Sequence, residues 1–245
     1  ASAFLHPIER GPEKRENLTL ITGAQVRHLN FDGSLCTGLT FVQDGQHVTV
    51  QARCETVLAA GAIGSPQILE LSGIGHPHLL QSMGLKVRHA LPGVGENLQD
   101  HLEVYVQHAC KQPITMNPSL KLWKRPFIGA AWLFARRGPG ATNHFEGGGF
   151  ACSNSDVAYP NLMFHFLPIA VRYDGTGIEQ GHGYQVHIGP MYSDARGRVQ
   201  ITSADPMAKP SILFNYLSTD QDRREWVEAI RVARSILRQP AFAPY

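Results

Sequence analysis

The chain has 245 residues, of which 43% are hydrophobic and 17% charged, and its 22 basic and 20 acidic side chains leave a net charge of +2 with the histidines neutral. This composition excludes a disordered or collagen-like chain, and the charge balance excludes a basic stripe for nucleic acid. No apolar run reaches about 18 residues, so no membrane span is expected, and no charged-then-apolar leader is visible, so no signal peptide is expected. The apolar content suffices for one large core or two small ones.

Residues 1–17 are polar, punctuated by Pro7, Gly11 and Pro12, and read as a loop or arm. Strands follow at 18–22, 24–31, 35–42 and 46–52, all rich in β-branched and apolar residues. Asp32-Gly33 and Asp44-Gly45 separate the later ones, and Asp-Gly between such runs predicts hairpins, here a β-meander. A short strand at 56–60 enters a glycine turn, Gly61-Ala-Ile-Gly64. Ser65 suits an N-cap and Pro66 a first helical residue, with a helix over 67–71 closed by Ser72-Gly73. Gly61 and Gly64 let the backbone approach an anionic group at a helix N-terminus, or they allow tight strand-to-helix packing. Without a full GxGxxG the spacing does not separate these readings.

A second short helix covers 77–83 and a strand 86–91, before the tight loop Pro92-Gly-Val-Gly95. A strand is expected at 102–109. Residues 119–137, with Trp123, Phe127, Trp132 and Phe134, read as a helix that Pro126 is placed to break. Further strands are expected at 145–151, 161–167, 184–191 and 198–202. In the third of these, Tyr184, Val186 and Ile188 share one face and Gln185 and His187 the other, the pattern of a sheet packed on one side. The last helix spans 219–238, with an apolar stripe of Trp226, Ala229, Ile230, Ala233, Ile236 and Leu237, and Pro240 stops it.

The four cysteines, Cys36, Cys54, Cys110 and Cys152, have no CxxC spacing and read as buried free thiols. The 12 histidines show neither HExxH nor ligand spacing with cysteine, so no metal site is expected.

The stretch Gly61-Ala-Ile-Gly-Ser-Pro-Gln-Ile-Leu-Glu-Leu-Ser-Gly-Ile-Gly75, followed by Leu91-Pro-Gly-Val-Gly-Glu-Asn-Leu-Gln-Asp-His101, resembles the second signature of the glucose-methanol-choline (GMC) oxidoreductases, a family of flavoenzymes. Residues 140–150, 160–168 and 214–218 are similar to its bacterial choline-oxidising members, and the resemblance covers essentially the whole chain. It implies an α/β fold of the flavin-oxidoreductase type, α+β within this chain. Residues 1–101 would form part of an FAD-binding domain, and 102–218 a substrate-binding domain with an antiparallel sheet backed by helices. Residues 219–245 would be a helix leading into a further C-terminal part.

FAD is the implied cofactor. The resemblance puts Val26 where backbone is offered to the adenine ring, and Ala60 and Gly61 on the turn passing the ADP moiety. On its own, Val26 is an ordinary strand residue. The implied substrate is choline, oxidised to betaine aldehyde on the way to glycine betaine. Its trimethylammonium has no N–H donor, so a carboxylate, aromatic faces or both must hold it. Glu146 matches the family's choline-binding glutamate, with Phe145, Phe150, Trp123 and Trp132 as aromatic candidates. Without the resemblance, Glu146 reads as a solvated or salt-bridged carboxylate at a strand edge.

Family members run to more than twice this length, open on a GxGxxG strand-turn-helix and end with a catalytic histidine. The sequence contains no GxGxxG and stops before that histidine's region. No catalytic residue is therefore expected within it, His101 and His165 read as structural, and the chain is expected to be inactive alone. A respiratory electron acceptor is implied, in the cytoplasm or at the inner face of a membrane. The alternatives are oxidation of another primary alcohol and a non-catalytic binding or folding module.

Overall fold

The structure, a computed structural model, describes residues 3–11, 13–174 and 181–245. In chain order the elements are α1 (Leu5–Glu9), β1 (Gln25–Asp32), β2 (Leu35–Gln43), β3 (Gln46–Gln51), α2 (Gly61–Leu71), β4 (Ile74–Gly75), α3 (Pro77–Ser82), β5 (His89–Ala90) and β6 (Glu96–Leu98). They continue with β7 (Val104–Ala109), α4 (Arg125–Ala135), β8 (Gly147–Ala151), β9 (Leu162–Leu167), β10 (Gly183–Pro190), β11 (Gly197–Gln200), β12 (Ser211–Leu213) and α5 (Asp220–Leu237). This is the mixed, mostly antiparallel α+β architecture expected. Two compact units are present: residues up to Leu98 with Arg198–Leu213, and Gln99–Gly197 with Phe214–Tyr245.

In the first unit β1, β2 and β3 form the antiparallel meander. Its tips lie at the two Asp-Gly signals, where Gly33, Asp44 and Gly45 take φ of +56°, +50° and +77°. The left-handed region is what a two-residue hairpin turn requires. The arm expected over 1–17 contains α1, although its Ala1, Ser2 and Pro12 lie outside the described residues. Residues 18–22 and 56–60 form no strand. β-propensity alone does not make a strand, because it takes effect only beside a partner edge.

α2 starts at Gly61, earlier than Ser65 and Pro66 suggested. Ser65 sits one turn inside, and its Oγ accepts the Ala60 N–H at 3.1 Å. Ser72 closes the helix by donating to the Ile68 carbonyl at 2.5 Å and accepts the Leu29 N–H at 2.8 Å, fixing α2 against β1. Glu70 points from α2 into the core, fully buried. Its Oε2 accepts the Ile201 N–H at 2.8 Å, while Oε1 has no hydrogen-bond partner. Burial pushes this carboxyl up to about 7 against the lowering pull of the Ile201 N–H, and Glu96 adds to the rise. Gly95 lies so close to β11 that a Cβ there would stand 2.0 Å from the Val199 carbonyl oxygen. Glycine is required there.

In the second unit the four-stranded sheet runs β7-β10-β9-β8, antiparallel throughout. α5 covers one face, packing Ala229, Ala233 and Leu237 on Leu162, Tyr184, Val186 and Ile188. Thr219 caps α5 by accepting the Asp222 N–H at 3.1 Å. The other face of β10 is also buried, with Gln185 and His187 inside, so the sheet is not packed on one side only. Pro126 does not break α4. It lies in the first turn, where its missing N–H would have had no intrahelical partner. All four cysteines are free, and they are not the buried thiols expected: Cys36 and Cys110 are half-buried, Cys54 and Cys152 exposed.

Candidate functional site

The register of the second unit's sheet sets a row of side chains on the face away from α5. Tyr105 pairs with His187, His187 with His165, and His165 with Gly148, one position from each of the four strands. Phe145, in the segment leading into β8, meets this row edge-on. Its ring centroid is 5.6 Å from that of His165 and 6.1 Å from that of His187. Tyr173 extends the aromatic ground, 4.6 Å from Tyr105, and its hydroxyl donates to the Glu103 carbonyl at 3.0 Å.

The imidazole of His187 is held at both nitrogens. Nδ1 lies 2.6 Å from Glu103 Oε1 and Nε2 lies 2.5 Å from Gln185 Nε2. The Gln185 carbonyl oxygen is committed elsewhere, accepting from Gln107 Nε2 at 2.7 Å and from the Val171 N–H at 3.0 Å. Gln185 therefore offers His187 only its N–H, so Nε2 must accept and Nδ1 must donate to Glu103. Both ring nitrogens are thereby engaged, one by Gln185 and one by Glu103. The ring orders the face and is not a free base. The contributing residues Glu103, Gln107, Gln185 and His187 were not recognised together from sequence, since no motif spacing joins them.

Glu146 immediately follows Phe145, at the open end of β8, and is exposed. Its Oε1 accepts the Thr142 hydroxyl at 2.7 Å, and Thr142 Oγ1 in turn accepts the His144 N–H at 2.8 Å. His144 turns the chain there with φ of +67°. The carboxylate is thus oriented by its own loop while its charge stays unneutralised: the described ion pairs involve other residues. Glycines 147 to 149 follow it, so the strand start carries no bulk beside Phe145 and Glu146. Of the aromatic candidates, Phe145 joins the sheet face. Phe150 is exposed on β8, and Trp123 and Trp132 pair with Lys124 and Arg136 instead. His165 lies within the row, and His101 is exposed in the segment before β7.

In the first unit Val26 is half-buried on β1, opposite Phe41, next to a bulge at Arg27. Ala60 and Gly61 form the exposed turn into α2. Gly61 has φ of +78°, and a Cβ added there meets no atom within 4 Å. Here the backbone conformation demands glycine, and the space in front of the turn is open. With the Ala60 N–H taken by Ser65, the N–H groups of Gly61, Ala62 and Ile63 are left without intrahelical acceptors. Such a terminus suits a negatively charged group. Among the described residues no group of three or more His, Cys, Asp or Glu could hold a metal ion, and no helix is long and apolar enough to cross a membrane.

Residues 2–103 and 193–244 match two parts of the GMC oxidoreductase family. Over 243 residues the chain is 60% identical to the oxygen-dependent choline dehydrogenase of Staphylococcus saprophyticus and 56% identical to that of Staphylococcus aureus, covering 99% of this chain and 42% of each relative. It therefore spans about two fifths of the length of these curated relatives. Among solved structures, pyridoxine 4-oxidase from Mesorbium loti matches with a TM-score of 0.78 at 26% identity, over 94% of this chain and 41% of that one. Formate oxidase from Aspergillus oryzae shares the fold, with a TM-score of 0.85 at 23% identity over 96% of this chain and 46% of that one.

Proposed function

Because this chain belongs to the GMC oxidoreductase family, we propose that it contributes part of an FAD-dependent enzyme that oxidises choline to betaine aldehyde, the step toward glycine betaine. The observation that carries this reading is the identity of 56–60% with oxygen-dependent choline dehydrogenases over 99% of the chain.

Bound FAD supplies the hydride acceptor for the alcohol carbon. The chain's own residues fit such a group. Ala60 and Gly61 form a bare turn that leads into the N–H groups of Gly61, Ala62 and Ile63 for the ADP moiety, and Val26 offers strand backbone for the adenine. Glu146 supplies the charge for the trimethylammonium, and Phe145 an apolar ring face beside it, the combination a cation without N–H donors needs. The His187 ring, pinned by Glu103 and Gln185, keeps the sheet face under Phe145 in one arrangement. The hydroxyl proton goes to a base outside the residues described. The relatives are named as oxygen-dependent, and the respiratory carrier that the resemblance implies stays the proposed electron acceptor.

The test is anaerobic addition of choline to the purified full-length flavoprotein that contains this chain. Loss of the oxidised flavin's visible absorbance with choline, and not with pyridoxine, is the expected result. A flavin that choline leaves oxidised would sink the reading.

A further inference from the structure

Glu146 and Phe145 occupy one corner of the sheet face that carries the Tyr105-His187-His165 row. The opposite corner holds a second carboxylate with more aromatic surface. Glu103 immediately precedes β7 and shares the parity of Tyr105, so its side chain lies on this same face. Tyr105 and Tyr173 stand there with ring centroids 4.6 Å apart, and the His187 ring lies 5.5 Å from that of Tyr105. Three contiguous rings adjoin this carboxylate, where Glu146 has Phe145 alone.

The corner is built from contacts within one unit. Glu103 Oε1 meets His187 Nδ1 at 2.6 Å, and the Glu103 carbonyl accepts the Tyr173 hydroxyl at 3.0 Å. Among the described ion pairs no lysine or arginine meets Glu103. The segment that carries Tyr173 is clamped just upstream by three side-chain amides. Asn117 accepts the Ala170 N–H at 3.2 Å and donates to the Ala170 carbonyl at 2.8 Å. Gln185 accepts the Val171 N–H at 3.0 Å, and Gln107 donates to the Val171 carbonyl at 2.6 Å. With both backbone groups of two successive residues bonded, the segment is held in one conformation, which lowers the ordering cost of a ligand it receives. The Tyr173 hydroxyl is engaged by backbone, so what this side chain has to give a ligand is its ring.

Ring faces beside a carboxylate suit a cation that has no N–H to donate. A primary ammonium would need further acceptors, and the nearest, the Glu103 carbonyl and Oε1, are already engaged. Glu103 is tied to His187 and Glu146 to Thr142 at 2.7 Å. β7 and β8 are the outer strands of the sheet, three spacings of about 4.8 Å apart, so one small cation does not serve both carboxylates.

We propose that Glu103, Tyr105 and Tyr173 form a second site for a quaternary ammonium ion, separate from Glu146. The ligand class rests on the choline reading above; the construction of the site does not.

The experiment is equilibrium dialysis of labelled tetramethylammonium against the purified full-length flavoprotein at low salt. Two ions bound per protein are expected. Glu103→Gln keeps an acceptor for the His187 ring and removes the charge; it should bind one ion, and Glu146→Gln should lose the other. Tyr173→Leu should weaken the ion at Glu103 about tenfold, whereas Tyr173→Phe, which keeps the ring, should weaken it less than about threefold. The ion that each single variant retains shows that its fold is intact. One ion in the wild type overturns the proposal, as do two ions in Glu103→Gln or equal losses in the two Tyr173 variants. Choline reduction of the flavin is read in the same preparation. Two ions without reduction would keep this site and sink the choline reading, and reduction with a single ion would do the reverse.

Discussion

Glu103, just before β7, and His187 on β10 are joined at 2.6 Å, carboxylate oxygen to ring Nδ1, although 84 residues separate them in sequence. With Gln185 on the other ring nitrogen and Gln107 behind it, the pair begins a chain of four side chains in which each donor has one defined acceptor. This chain orders the sheet face under Phe145, and it can be tested without knowing the substrate.

Gln185→Leu removes the hub. It leaves His187 Nε2 without its donor, and the Val171 N–H and one Gln107 N–H without their acceptor. Each buried orphan costs about 1–3 kcal/mol, partly relieved by rearrangement, so a loss of about 3 kcal/mol is expected in urea unfolding. A change within about 0.5 kcal/mol, the range of an ordinary surface substitution, would show that the chain of bonds contributes nothing.

Glu70 makes stability pH-dependent in an unusual direction. Its folded pKa of about 7 lies above the ordinary value of 4.5. Between these two values the folded protein holds a proton that the unfolded chain has released, so this group's contribution is full below pH 4.5. It is lost as pH rises toward about 7, and the contribution is flat above that. The total is about 3 kcal/mol. Glu70→Gln keeps the acceptor for the Ile201 N–H and should abolish the slope, making the variant the more stable form at pH 8. Urea midpoints of both proteins at several pH values decide it, and parallel curves would refute the assignment.

Gly61→Ala forces a Cβ into the left-handed region at about 1–2 kcal/mol and projects it into the open space before the turn. In the full-length enzyme, FAD retention through gel filtration should fall more than the thermal midpoint does. Gly84→Ala, also at positive φ with nothing near its Cβ, is the control: it should cost similar stability and leave FAD bound. Equal FAD loss in both variants would mean that the turn at Gly61 has no special place in cofactor binding.

Glu146→Gln in the full-length enzyme should weaken choline about ten- to hundredfold, or ~1–3 kcal/mol, and affect far less the neutral isostere with a tert-butyl group in place of trimethylammonium. Thr142→Val, which removes the hydroxyl that orients the carboxylate, should give a smaller effect of the same sign. Comparing kcat/KM for both substrates isolates the charge term. An equal penalty for choline and its isostere would return Glu146 to a structural role.

The sequence by itself determined the features whose cause is local. Asp32-Gly33 and Asp44-Gly45 mark their hairpins because the turn needs left-handed backbone, a property of one or two residues. α5 is legible from its 3.6-residue stripe and from Pro240, which stops it. Family membership is legible because the signature from Gly61 to Gly75 is contiguous. Tertiary structure decided what depends on a partner. Residues 18–22 and 56–60 carry strand-like composition, but no neighbouring edge turns it into a strand. Ser65 and Pro66 suit a helix start, yet α2 begins one turn earlier, at Gly61, with Ser65 Oγ accepting the Ala60 N–H. Register across four antiparallel strands brings Tyr105, His187 and His165 into one row, and burial of both faces of β10 converts two polar residues into a hydrogen-bonded chain. Backbone preference is a short-range energy, readable residue by residue. Which polar group must satisfy which other is set only when water is excluded from both.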